Sequence, residues 1–200
     1  MPDPQLPHPR SVKRITDPKA LRALAHPLRL SLLGLLRTEG PLTATKAAEL
    51  LRESSASCSF HLRQLAKYGL VEEAGGGHGR ERPWQATAML TDVPEIADNP
   101  EFDAAAQLFR SIVLEGYVDT ATRWFEVRTK EPVEWQRAAQ FNDVLLYVTA
   151  PELESLAGQM RTLYDRYGDR LTSPELRPAG SRLVQLIQMG LPVIDKAAAR

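Results

Sequence analysis

Residues 54–67 gather side chains that could do two kinds of chemistry. Ser54, Ser55, Ser57, Ser59 and Gln64 carry hydrogen-bonding groups on short stems, Phe60 lies among them, and Arg63 and Lys67 follow as cations. Short hydroxyl side chains let a helix approach the base edges in a nucleic-acid groove, and cations reach phosphate oxygens. Cys58 and His61, three residues apart, could instead offer a thiolate and an imidazole to a metal ion or a redox switch. The plainer alternative is a surface helix that happens to be rich in serine.

The metal chemistry finds little support. The chain has one cysteine, and its four histidines, His8, His26, His61 and His78, are scattered. Zinc sites take three or four N/S ligands, and Cys58 with His61 supplies two. Cys58 is read as a small buried hydrophobe, with a redox thiol as the alternative. His61 is expected half-buried, its ring nitrogens bonding backbone or phosphate. No Ser/His/Asp constellation is present, and the glycine run at 75–79 lacks the helix and lysine of a phosphate-binding loop. Neither an enzyme, a cofactor nor a metal is expected.

Positioning these groups requires a helix. Cys58, Leu62 and Leu65 recur at i, i+4 and i+7 as one apolar stripe, with Ser54 as a cap and Gly69 as a left-handed terminator. A shorter helix is predicted over 43–51, joined to the first by the turn at 52–55, which is helix-turn-helix spacing. Two extended runs, 70–74 and 80–87, flank the glycine-rich tip and predict a β-hairpin. Alternation puts Arg80, Arg82 and Trp84 on one face, and Pro83 predicts an edge strand.

These features resemble the arsenical-repressor (ArsR-type) family of bacterial transcription regulators. The resemblance rests on Leu24-Ala-His-Pro-Leu-Arg-Leu30, Ser57-Cys-Ser-Phe-His-Leu-Arg-Gln-Leu65, Gly69-Leu-Val-Glu72 and the arginine-rich wing, and covers residues 15–90. It implies a winged helix-turn-helix. Residues 54–68 would lie in the major groove of double-stranded DNA, with the wing at 75–82 on the backbone or minor groove. Ser54, Ser55, Ser57, Ser59, Phe60, His61, Arg63, Gln64, Lys67, Arg80 and Arg82 are the expected DNA contacts.

On either side the punctuation is clear. Residues 1–14 are expected to be a flexible proline-rich arm. Asp17 and Pro18 predict a helix start, and His26-Pro27 a break before a second helix that Gly40-Pro41 ends. His26 is expected to cap or pack rather than to bind metal. Leu24, Leu28, Leu32, Leu35, Leu50, Leu62 and Leu65 form the expected core. A composition shift at 91–99 marks the expected domain boundary. Asn99-Pro100 then starts a helix predicted to run to about 130, roughly 45 Å long. Phe102, Phe109, Ile112 and Val113 on that helix are expected to face a second copy. Residues 144–149 and 182–191 are predicted strands, separated by a helix that Thr149 and Glu152 open with a capping box. The expected fold class is therefore α+β and mostly helical: a winged helix-turn-helix at 15–90, then a long helix and a small α+β domain within 91–200.

Charge is zero overall but uneven. Residues 1–90 carry a net +5 and residues 91–200 a net −5, which suits DNA at one end and another task at the other. With one cysteine, no apolar leader and no run of 18 apolar residues, a cytoplasmic protein without a membrane span is expected. The expected partners are a DNA operator, a second copy of the chain and possible small-molecule effectors. Ten of the 13 aromatics lie between Phe102 and Tyr167, which suits a ligand pocket or a core equally. A winged-helix scaffold for protein contacts, without DNA binding, is the remaining alternative.

Overall fold

The computed structural model describes residues 11–75 and 82–194. Strand β1 (Val12–Arg14) leads to α1 (Pro18–Leu24), α2 (Pro27–Glu39), α3 (Ala44–Leu51) and α4 (Ser55–Lys67). Strands β2 (Val71–Glu73), β3 (Trp84–Ala86) and β4 (Leu90–Asp92) follow. Helices α5 (Pro100–Val127), α6 (Val133–Ala138), α7 (Ala150–Asp165) and α8 (Asp169–Thr172) come after them.

The helix starts are written in side-chain chemistry. The Asp17 carboxylate accepts from the Lys19 amide at 2.9 Å, and Pro18 occupies the first helical position, where its missing N–H costs nothing. His26 caps α2 in the same manner, its Nδ1 accepting from the Leu28 amide at 3.2 Å. Thr43 caps α3, Ser54 caps α4 and Asn99 caps α5. Gly69, with φ +64°, turns the chain out of α4 into β2 as its spacing predicts. Arg52 takes the left-handed conformation at the end of α3, the single described non-glycine residue to do so.

One core serves the N-terminal half. Leu21, Leu24, Leu32, Leu33, Leu36, Cys58, Leu62, Leu65, Leu70 and Val71 are fully buried. Leu28 and Leu35 pack at its margin. Leu50, expected inside, is 49 % exposed; on α3 the two alanines Ala47 and Ala48 take the buried positions instead, and Leu50 lies off the face that packs inward.

Strand β3 pairs antiparallel with β2, Glu73 opposite Trp84, and on its other side Trp84 exchanges two backbone hydrogen bonds with Leu42. It is thus not the edge strand that Pro83 suggested. Pro83 sits at the end of the ladder, where only its carbonyl is used, accepting from the Ala74 amide at 2.7 Å. Residues 12–14 are not a free arm either: β1 runs parallel to β4. Arg37, deep enough that burial pulls its guanidinium down to about 10, donates to the Ala88 carbonyl and the Thr91 hydroxyl at 2.9 and 2.8 Å. It locks α2 to the start of β4.

The core does not stop at residue 90. Phe102, 2 % exposed, enters it with Ala105 and Ala106, and the Arg22–Glu101 ion pair at 2.6 Å closes the seam between α1 and α5. The N-terminal body therefore includes the first turns of α5, and Phe102 is a core residue rather than a surface for a partner. Phe109 also packs against this core. Beyond Ala106 no described residue is buried.

Helix α5 continues for 28 residues, about 42 Å, and a short 3₁₀ turn follows at Arg128–Lys130. The Thr149–Glu152 capping box opens α7 as expected. The expected strands at 144–149 and 182–191 are not formed. Residues 144–148 and 182–191 hold no regular structure and make no backbone hydrogen bond to another described segment. An alternating sequence makes a segment competent for a strand, but the strand exists only when a neighbour supplies its ladder.

Candidate nucleic-acid interface

Helix α4 has two opposite faces. Cys58, Leu62 and Leu65 point inward and are wholly buried. On the outer side Ser54, Ser55, Ala56, Phe60, Arg63 and Lys67 are exposed, and Ser57, Ser59 and Gln64 are half-exposed at the flanks. The hydroxyls are already organised. Ser54 Oγ accepts from the Ser57 amide at 3.1 Å. Ser55 and Thr45 hold hydroxyls 3.2 Å apart across the turn. Arg63 Nη1 donates to Ser59 Oγ, one helical turn back, at 2.9 Å, so its guanidinium lies along the outer face. Lys67 stands 5.7 Å from the Tyr68 ring. The 13-residue helix, about 20 Å long, is narrow enough at its serine-rich start for a groove about 12 Å wide.

His61 does not belong to that outer face. Its ring stacks on His26 at 4.4 Å between centroids, with Phe60 edge-on at 5.2 Å. Its Nδ1 and the nearby Arg29 Nε are buried without a hydrogen-bond partner among the described residues. This cluster joins the start of α2 to the middle of α4, and no spacing rule reveals it: the two histidines are 35 positions apart. Burial lowers the pKa of both rings. His61 is lowered further by His26 and Arg29, against an opposing pull from Glu53, and His26 by Arg29.

The sign of the pH effect follows. The folded protein favours neutral imidazoles, so as pH falls below the ordinary histidine value, about 6.5, the unfolded chain takes up protons that the folded one refuses. The histidine contribution to stability is complete above that value and is lost as pH falls through the lowered folded-state values. Protonation at His26 Nδ1 would also remove the cap acceptor of α2. We expect the urea midpoint to fall between pH 7.5 and 5.5, and His61→Gln to flatten that fall. A variant whose midpoint drops as steeply as that of the wild type would rule the cluster out as the source.

Cys58 is buried, and its thiol is pushed up from the ordinary range by burial and then by Glu53. Burial favours the neutral thiol, as suits the small packed hydrophobe expected from sequence. Among the described residues no three His, Cys, Asp or Glu side chains converge.

The wing is visible only at its base. Arg82 lies there, exposed, and pairs with Glu73 at 3.2 Å. Arg80 and the rest of the tip, 76–81, lie outside the described residues. Arg52, exposed in the turn between α3 and α4, is a cation beside the outer face that sequence reasoning missed. Its place beside Ser54 could have been read from the turn alone.

Two helices at a tight turn, one buried inward and bare outward, followed by an antiparallel hairpin, is the geometry of a winged helix-turn-helix. Residues 24–74 match a family model described as a helix-turn-helix domain. The matched helix-turn-helix covers α2 to β2, about a quarter of the chain. A comparison with curated proteins finds no match. The helix-turn-helix points to DNA-binding regulation, and no described helix is long and apolar enough to cross a membrane.

Proposed function

We propose that this protein is an ArsR-type transcription regulator that binds double-stranded DNA in a sequence-specific way as a homodimer and represses by occupying its operator. The observation that carries the reading is the bare outer face of α4. Its inner face is fully buried, no described residue buries the other, and that face presents hydroxyls first and cations later. Specific helix-turn-helix binding is usually two-fold, because one recognition helix makes too few base contacts. The motifs at 24–30, 57–65 and 69–72 support the ArsR-type assignment.

The test is binding to a pool of genomic fragments across a salt series. We expect nanomolar-to-micromolar affinity, with log K falling linearly in log salt. Arg63→Ala and Lys67→Ala should each reduce that slope by about one, whereas Gln64→Ala should change which fragments are selected. No binding to any fragment at low salt would overturn the reading.

A further inference from the structure

The C-terminal half of the chain lacks a core of its own. No residue of 107–194 is buried, yet Val144, Leu145, Leu146, Leu183, Leu186 and Leu191 all lie in the open. Leu145 is 80 % and Leu186 is 67 % exposed.

The backbone points to how that surface is covered. Residues 144–148 and 182–191 make no backbone hydrogen bond to another described segment. Residues 144–149 and 183–194 contain no charged side chain. Monomeric proteins guard an open strand edge with lysine, proline or a covering element; here Pro192 is the single guard. The contiguous apolar run at 144–148 reads as a strand buried on both faces. The second segment already lies along α7. A Cβ on Gly190 would stand 3.1 Å from Leu153 Cδ1, and Tyr164 bonds Gln188 at 3.4 Å. Arg182 also pairs with Glu131 at 2.6 Å. The apolar surface is continuous with α5 through the Phe125–Phe141 ring contact at 5.3 Å. A two-fold arrangement makes identical edges complementary to themselves, and no charge opposes itself there.

We propose that the C-terminal halves of two copies fold as one body, with residues 144–149 and 183–191 of each chain pairing into a β-sheet shared by both. This deepens the homodimer reading and rests on it. The strands would form only on association, so DNA affinity would depend on protein concentration through the folding of this body.

Amide hydrogen exchange on the full chain, from nanomolar to tens of micromolar, tests this alongside sedimentation. Amides of 144–149 and 183–191 should be protected at least 100-fold in the dimer and lose that protection as monomer accumulates. A dimer in which these amides exchange freely would overturn the shared sheet and leave the homodimer standing. A monomer at every concentration would remove both. Protection within a monomer would place the pairing inside one chain. If no monomer accumulates, the variant Leu145→Asp with Leu186→Asp decides. Both sites are exposed in the single chain, so the N-terminal body should unfold at an unchanged urea concentration while the dimer dissociation constant rises at least 100-fold. A variant that dimerises like the wild type would overturn the proposal.

Discussion

Phe102→Ala should lower the stability of the N-terminal body by about 3–5 kcal/mol, the cost of a buried phenylalanine truncated to a cavity. Phe102 is the largest fully buried side chain, and it lies in the core with Leu21 and Leu24 of α1. Its amide is one of the two that Asn99 caps, at 3.3 Å. Removing the ring opens space at the seam between α1 and α5. Small domains are stable by only about 5–15 kcal/mol, so the variant should lie near its unfolding transition at physiological temperature. Urea denaturation followed by tryptophan fluorescence measures the loss in a chain that keeps Trp84, at the edge of the same core, and carries Trp124→Phe and Trp135→Phe. A midpoint shift worth less than about 1 kcal/mol would show that α5 is not part of the DNA-binding body.

In the homodimer proposed above, the second large effect belongs to the exposed side of α5. Ile112 and Val113, expected from sequence to face a partner, are half-buried, and Phe109 is packed on the N-terminal core. The more exposed stripe is instead Leu114, Val118 and Phe125, spaced i, i+4 and i+11 with the half-buried Ala121 between them at i+7, Leu114 being 47 % and Val118 59 % exposed. That spacing is the seam of two packed helices. Leu114→Glu with Val118→Glu should leave the single chain folded, because neither side chain is in its core. Two glutamates placed opposite their symmetry mates should prevent association. Operator affinity should then fall at least 100-fold, since each half-site is held without its twin. Sedimentation at micromolar concentration and operator titration measure the two effects. A variant that remains dimeric would move the contact away from this stripe.

The features read correctly from sequence alone are those decided by near neighbours. Asp17, Ser54, Asn99 and the Thr149–Glu152 pair cap the helices they precede, because a cap is a bond to an amide two or three residues on. Cys58, Leu62 and Leu65 lie inward because helical period alone puts them on one face. The helix-turn-helix and the base of the hairpin were legible for the same reason. Tertiary structure decided what depends on distant partners. The β1–β4 pairing joins segments nearly 80 positions apart through three-residue strands, too short to announce themselves. Leu50 is exposed and Phe102 buried because the packing of α3 on α4 and of α5 on α1, not hydrophobicity, sets which side is covered. His26 meets His61 across the same core, which no local pattern encodes. Residues 144–149 and 182–191 have the composition of strands and no ladder among the described residues, because a helix satisfies its own backbone while a strand must borrow a neighbour's.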